Sequence, residues 1–263
     1  MAYKHDQEAR QEAAAHQVSG DGVAQLQGQC ARKAAELGEG GVRGHRVSFS
    51  PEAWEKPRGL PGGVRRAGSI CRGEVMDIGE RVRDGTLPAT ALFAASFVWG
   101  WGTTGYGPRR YRDICAAAGS HLELSLQCVL AVIGNDRGAP DVIAGYAQFY
   151  GGYDYENRGA PGQEPWSRLW GFGPAFFTKF LYFSTPGALI LDNRLANAVH
   201  SLSGLPHLVT EKGHSVAWTP YRYAVYLHWM RQTADAVGVE PEILEPALFQ
   251  PAEDFSDDHD AAD

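Results

Sequence analysis

Between positions 166 and 199 three kinds of residue could do chemistry together. Gly171-Phe172-Gly173 follows Leu169 and Trp170 and precedes Pro174. Glycine permits positive φ and close backbone approach. The tripeptide therefore reads as a tight turn, with Leu169 ending one short helix and Pro174 opening another. The first amides of that second helix have no partner within it and point outward, where a phosphate can meet them. Gly171, Phe172, Gly173 and Ala175 would form such a grip, which holds a phosphate without reading a base. Further on, an apolar approach (Gly187-Ala-Leu-Ile-Leu) leads to a single acidic residue, Asp192, and then to a helix with Arg194 in its first turn. Asp192 stands 17 residues after Ala175. Taken alone, Gly-Phe-Gly is an ordinary corner between helices, and Asp192 is the N-cap of the helix it precedes.

Helices must position these residues. Pro88 opens an apolar run that Gly100 and Gly102 stop. Further helices are predicted over residues 109–118 and 121–133, and another after Pro140-Asp141. The helix begun by Pro174 ends before Pro186. A long helix over residues 219–237 carries Tyr223, Tyr226, Leu227, Met230 and Ala234 on one face, and residues 240–249 add a short one. Strand signals are sparse and no repeat is present, so the expected class is all-α. Three regions are expected: a flexible N-terminal segment (1–45), a helical body (46–250) and a disordered acidic tail (251–263). The first is rich in Ala, Gln and Glu, with a short helix over 10–16 and a glycine-rich linker at 38–44. Residues 48–63 contain Pro51, Pro57 and Pro61 and read as an extended lead-in that Trp54 can anchor.

Composition bounds the function. The chain has 263 residues, enough for a sizeable core. No uninterrupted apolar run reaches the ~20 residues that span a bilayer, and the N-terminus has no apolar stretch of secretory type. The expectation is a cytoplasmic monomer with no membrane partner. Cys30, Cys71, Cys115 and Cys128 include no close pair, so neither a zinc site nor an iron–sulfur cluster is expected, and no cofactor. Cys115 and Cys128 read as core. The histidines His200, His207, His214 and His228 are too scattered for a metal site. The formal charge is -7, but Glu253, Asp254, Asp257, Asp258, Asp260 and Asp263 supply six of those charges from the tail alone. The remaining body can still present a basic face. Arg109, Arg110 and Arg112 are one basic group, and the seven Lys and Arg of residues 56–83 are another.

Leu169-Trp-Gly-Phe-Gly-Pro-Ala and, after a helix, Leu191-Asp-Asn-Arg-Leu resemble the helix-hairpin-helix DNA glycosylases. That superfamily includes the 8-oxoguanine glycosylases and endonuclease III. The clear likeness covers about thirty residues. A looser one, to bacterial proteins with an 8-oxoguanine glycosylase fold, rests on the run Gly-Phe-Gly-Pro-Ala-Phe-Phe-Thr-Lys-Phe-Leu-Tyr-Phe and on Trp-Gly-Trp-Gly at 99–102. The resemblance implies a two-lobed helical fold, DNA as partner, and Asp192 as the catalytic aspartate. Cleavage of an N-glycosidic bond builds positive charge on the sugar, which a carboxylate stabilises while orienting water. Oxidised guanine is the base that the likeness implies first.

One position departs from the family. Where its bifunctional members carry a lysine, this chain has Ala175, and the nearest amine is Lys179, one helical turn later on the same face. Either water is the nucleophile and the enzyme is monofunctional, which is the expectation, or Lys179 reaches in and forms a Schiff base. Lys179 could also serve only to meet phosphate. A flipped base needs an aromatic or apolar wall. Among Trp99, Trp101, Tyr106, Trp166, Trp170, Trp218 and Tyr221, the pair Trp218 and Tyr221 at the entry of the last long helix is the expected pocket. Two other readings stand beside catalysis: a DNA-binding module that uses the hairpin only to hold backbone, and a protein-interaction role for the acidic tail.

Overall fold

The computed structural model describes residues 4–54, 68–134, 140–152 and 169–249. Among these, helices dominate and the sheet is a single two-stranded ribbon, so the chain is all-α. In chain order the helices are α1 (Asp6–Ala15), α2 (Gly20–Leu37), α3 (Arg72–Arg83), α4 (Ala89–Trp101), α5 (Tyr106–Ala118) and α6 (Leu122–Ile133). They continue with α7 (Val142–Tyr150), α8 (Pro174–Ser184), α9 (Asn193–Ser203), α10 (Pro220–Val237) and α11 (Pro241–Leu248). The ribbon pairs β1 (Arg46–Ser48) with β2 (Ser69–Cys71), antiparallel, with Val47 opposite Ile70.

Local chemistry sets many of these boundaries. Cys71 caps α3 through a reciprocal pair: its Sγ accepts from the Glu74 amide at 3.4 Å, and Glu74 Oε2 accepts from the Cys71 amide at 2.6 Å. The first amides of α4 find a carboxylate from another helix. Glu123 of α6 accepts from Ala89 at 2.8 Å and Thr90 at 2.9 Å. Thr219 caps α10 and Pro220 starts it. The helix α4 runs past Gly100, where a stop was expected, and ends at Gly102 with φ +55°.

The helices gather into two groups. The central ones, α3 to α8, pack mainly on one another, and α4 and α8 are buried along most of their length. The two ends of the chain form the other group, in which α1, α2 and α11 pack on one another or on α10. A continuous apolar core joins them, and α7 meets α10 across the boundary.

Two expectations are corrected. The N-terminal segment is not loosely attached: α1 lies along α10, Glu12 binds Arg222 and Tyr221, and Trp229 Nε1 donates to the His16 carbonyl at 2.9 Å. Small residues, Ala9 and Ala13, fill the contact, so no strong apolar stripe announced it. Cys128 is exposed rather than core, whereas Cys115 is buried. The stretch Tyr106–Ile133 has the length and apolarity of a membrane-crossing segment. It is two helices, α5 and α6, turned at Gly119 with φ +54°. The acidic tail and Trp166 lie outside the described residues, as does the helix expected before Leu169.

Candidate active site

The expected turn is present. Phe172 N donates to the Leu169 carbonyl at 3.0 Å, and Gly171 takes φ +78°, which a side chain would strain. Arg110 of α5 pins the turn by donating from Nε to the Gly171 carbonyl at 2.8 Å, and its guanidinium lies 5.5 Å from the Trp170 ring. Gly173 is the N-cap of α8 in an extended conformation, and Pro174 occupies the first helical position. Among the described residues, the amides of Gly171, Gly173 and Ala175 have no acceptor. The Phe172 amide is spent on the turn, and its side chain sits in a cluster with Phe93, Phe97, Phe149 and Phe177. Phe172 thus packs beneath the turn and has no free amide for a phosphate, which corrects its expected role.

Helix α8 carries Lys179 beneath this turn. The ammonium lies 3.2 Å from Asp192 Oδ2, 3.5 Å from the Ala175 carbonyl and 5.2 Å from the Phe176 ring. Only 8% of the lysine side chain and 20% of the aspartate side chain are exposed. Gly100 makes the space, since a Cβ there would stand 2.9 Å from both Lys179 Cδ and Phe176 Cε1. Asp192 is the N-cap of α9, with Oδ1 accepting from Leu195 N at 3.2 Å, so its two oxygens divide the work. One caps a helix and the other faces the amine. Lys179 belongs to the central helix group, and Asp192 leads into a helix that contacts α11 of the other group.

The remaining expected residues separate. Arg194 is exposed on the first turn of α9, 5.2 Å from the Phe249 ring. Arg109 and Arg112 are exposed on α5, and Trp170 is 63% exposed at the turn. Trp218 and Tyr221 are not a base pocket. Trp218 is 2% exposed, and its Nε1 donates to the Leu208 carbonyl at 2.8 Å. Tyr221 is buried under α1, with its hydroxyl on Glu12 at 2.6 Å. Sequence position alone placed both at the entry of a helix, and the docking of α1 and the 204–219 segment over that entry was not legible. The aromatic rings that do approach Lys179 are Phe176 and, stacked on it at 5.4 Å, the half-buried Trp101.

Sequence reasoning also missed Arg72 and Glu245. Arg72 Nη2 meets Glu245 Oε1 at 3.0 Å and Nη1 donates to Tyr182 OH at 3.0 Å, with both charged side chains buried. Burial pushes the Glu245 carboxyl up, and Arg72 and the Ile190 amide oppose that shift. The guanidinium lies between Trp99 and Tyr182, about 5 Å from each ring.

A turn with open amides thus precedes a lysine and an aspartate in contact, all on an all-α frame. The family described as "Putative 8-oxoguanine DNA glycosylase OGG-like protein" matches residues 40–249, and the chain belongs to that family. DNA is the partner that this membership implies. No curated protein and no solved structure matches the chain. The match leaves out α1 and α2 entirely.

Proposed function

We propose that this protein excises a damaged base, oxidised guanine first among them, from DNA by cleaving its N-glycosidic bond. The observation that carries the reading is the contact between Lys179 and Asp192 at 3.2 Å beside a turn with free amides. The amides of Gly173 and Ala175 hold the phosphate backbone, and the exposed Arg109, Arg112 and Arg194 add positive charge to the DNA-binding surface. Asp192 then faces the sugar. As the bond from C1′ to the base breaks, its electron pair leaves with the base, and the carboxylate stabilises the cation that remains. In the hydrolytic route water adds to C1′ and gives its proton to Asp192. The protein works as a monomer in the cytoplasm, away from membranes.

The contact between Lys179 Nζ and the Ala175 carbonyl favours a second route. The amine reaches back over the position that the resemblance assigns to a lysine. Its proton can pass to Asp192, the neutral amine can attack C1′, and loss of the base with ring opening leaves a Schiff base. Borohydride trapping on a duplex with 8-oxoguanine separates the routes. A covalent adduct in the wild type that Lys179→Gln abolishes establishes the amine route, and base release without an adduct establishes water. A chain inert on duplex and single-stranded DNA bearing oxidised and alkylated bases, with Asp192→Asn equally inert, would leave a backbone-binding module.

A further inference from the structure

The three residues that lead into Asp192 are held by side chains rather than by a sheet or helix. The Tyr223 hydroxyl donates to the Leu189 carbonyl at 2.7 Å and faces the Leu189 amide at 3.4 Å. Glu245 Oε2 accepts from the Ile190 amide at 3.1 Å, and Tyr226 donates to the Ile190 carbonyl at 2.5 Å. Thr178 Oγ1 accepts from the Leu191 amide at 3.1 Å, and its hydrogen faces the carbonyls of Leu191 and Ala175. Six consecutive backbone groups are thus met by four side chains, drawn from α8, α10 and α11. Such a segment has no secondary structure to fix its register, so these contacts set where Asp192 stands.

Three of the four are hydroxyls. The fourth is a carboxylate, 2% exposed, and it requires a buried partner, Arg72. A neutral acceptor could hold the Ile190 amide without that partner. A buried ion pair is a poor device for stability alone, because apolar residues of similar volume do as well or better. Arg72 opens α3 in the central group and Glu245 lies on α11 in the other, with one Glu245 oxygen on Arg72 and the other on the Ile190 amide that leads to Asp192. Lys179, which meets Asp192, comes from the central group as well.

We infer that Glu245 is a positioning residue for Asp192: held by Arg72, it fixes the Ile190 amide and with it the depth and direction of the Asp192 carboxylate. The inference rests on reading Asp192 as the carboxylate that faces the sugar. Reach and charge can be separated in the full-length chain. Glu245→Asp keeps the charge for Arg72 and withdraws the oxygen from Ile190, whereas Glu245→Gln keeps an oxygen there and drops the charge. Arg72→Met with Glu245→Met removes the pair and keeps the volume.

The first readout is the carboxyl carbon resonance of Asp192 and its titration, assigned with Asp192→Asn. The second is the single-turnover excision rate, with duplex affinity measured beside it. Glu245→Asp and the double variant are expected to move the resonance and slow excision on the order of ten- to a hundredfold, as small misplacements do. Affinity should be unchanged, and Glu245→Gln should restore both readouts toward the wild type. An Asp192 resonance that titrates as in the wild type in folded Glu245→Asp overturns the inference. Wild-type protein that releases no base sinks the proposed function instead, while the resonance still decides the role of Glu245.

Discussion

Lys179 and Asp192 meet at 3.2 Å although neither was placed by the other in sequence. The lysine rises from the second turn of α8, and the aspartate caps α9 after an irregular segment held by Thr178, Tyr223, Tyr226 and Glu245. The cap and the ion pair use different oxygens. Asp192→Asn can keep the cap, since Asn caps helices as well as Asp does, and it loses the charge. The cap should hold, but the buried Lys179 ammonium loses its carboxylate, so stability should fall by roughly 3 kcal/mol, while base release falls on the order of a hundredfold or more. Thermal melting and a single-turnover assay on the same preparation test this. Excision at the wild-type rate would remove Asp192 from the chemistry.

Gly100 offers a different way to disturb the same pair. An added methyl would stand 2.9 Å from Lys179 Cδ and from Phe176 Cε1. Alanine also gains about 1 kcal/mol of helix propensity over glycine in α4, against a crowding cost of ~1–3 kcal/mol. The net cost is about 0–2 kcal/mol, so Gly100→Ala is expected to melt at most several degrees below the wild type. Its effect should fall on the amine, which must swing away from Asp192. Excision, or borohydride trapping where the amine route operates, should drop at least tenfold. Unaltered activity with unaltered melting would show that the lysine tolerates displacement.

Much of this site was legible in the sequence because it rests on local chemistry. The Gly171 turn, the Pro174 start and the Asp192 cap each depend on residues within a few positions. The parts that were not legible depend on distant partners. Glu245 reads as a solvent carboxylate until Arg72, 173 positions earlier, is brought to it. Trp218 and Tyr221 read as pocket walls because nothing in their neighbourhood announces that Leu208 and Glu12 will cover them. Helix α2 buries only Leu26 and Cys30, too few to give a periodic signal. Trp101 was noted only as one aromatic among many, and its stacking on Phe176 emerges from the packing of α4 on α8.

The α1 helix, outside the family match, should matter for stability. Arg222 is buried and its carboxylate partner is Glu12; His228 is buried and meets Asp6 at 2.8 Å. Glu12→Ala leaves a buried guanidinium without that charge and removes a bond from Tyr221. A cost of roughly 3 kcal/mol is expected, read as the shift in urea midpoint at constant slope. Removing residues 1–18 should cost more, because it also uncovers Trp229. A truncated chain as stable as the whole would mean that α1 rests on α10 without contributing.

Glu123 links stability to acid. Burial pushes its carboxyl up, but the Thr90 and Ala89 amides and the Gln127 side chain pull harder, so it lies below the usual value. A carboxylate whose folded pKa is depressed adds stability that is present above the unfolded pKa, about 4.3. That stability is lost as the pH falls through the folded value. Glu74, lowered overall by its bonds to Cys71 and by Arg46 against the opposing effect of burial, acts in the same direction. Glu123→Gln removes the titrating group and keeps an acceptor for the start of α4. Its melting temperature should lie below that of the wild type by a constant margin above about pH 5, and the margin should close as the pH drops below about 4. Melting curves for both proteins across pH 3 to 7 give the comparison. A margin that stays the same into the acid range would mean that the Glu123 carboxyl titrates alike in the folded and unfolded chain, and that its bonds to Ala89 and Thr90 are no stronger in the ionised form.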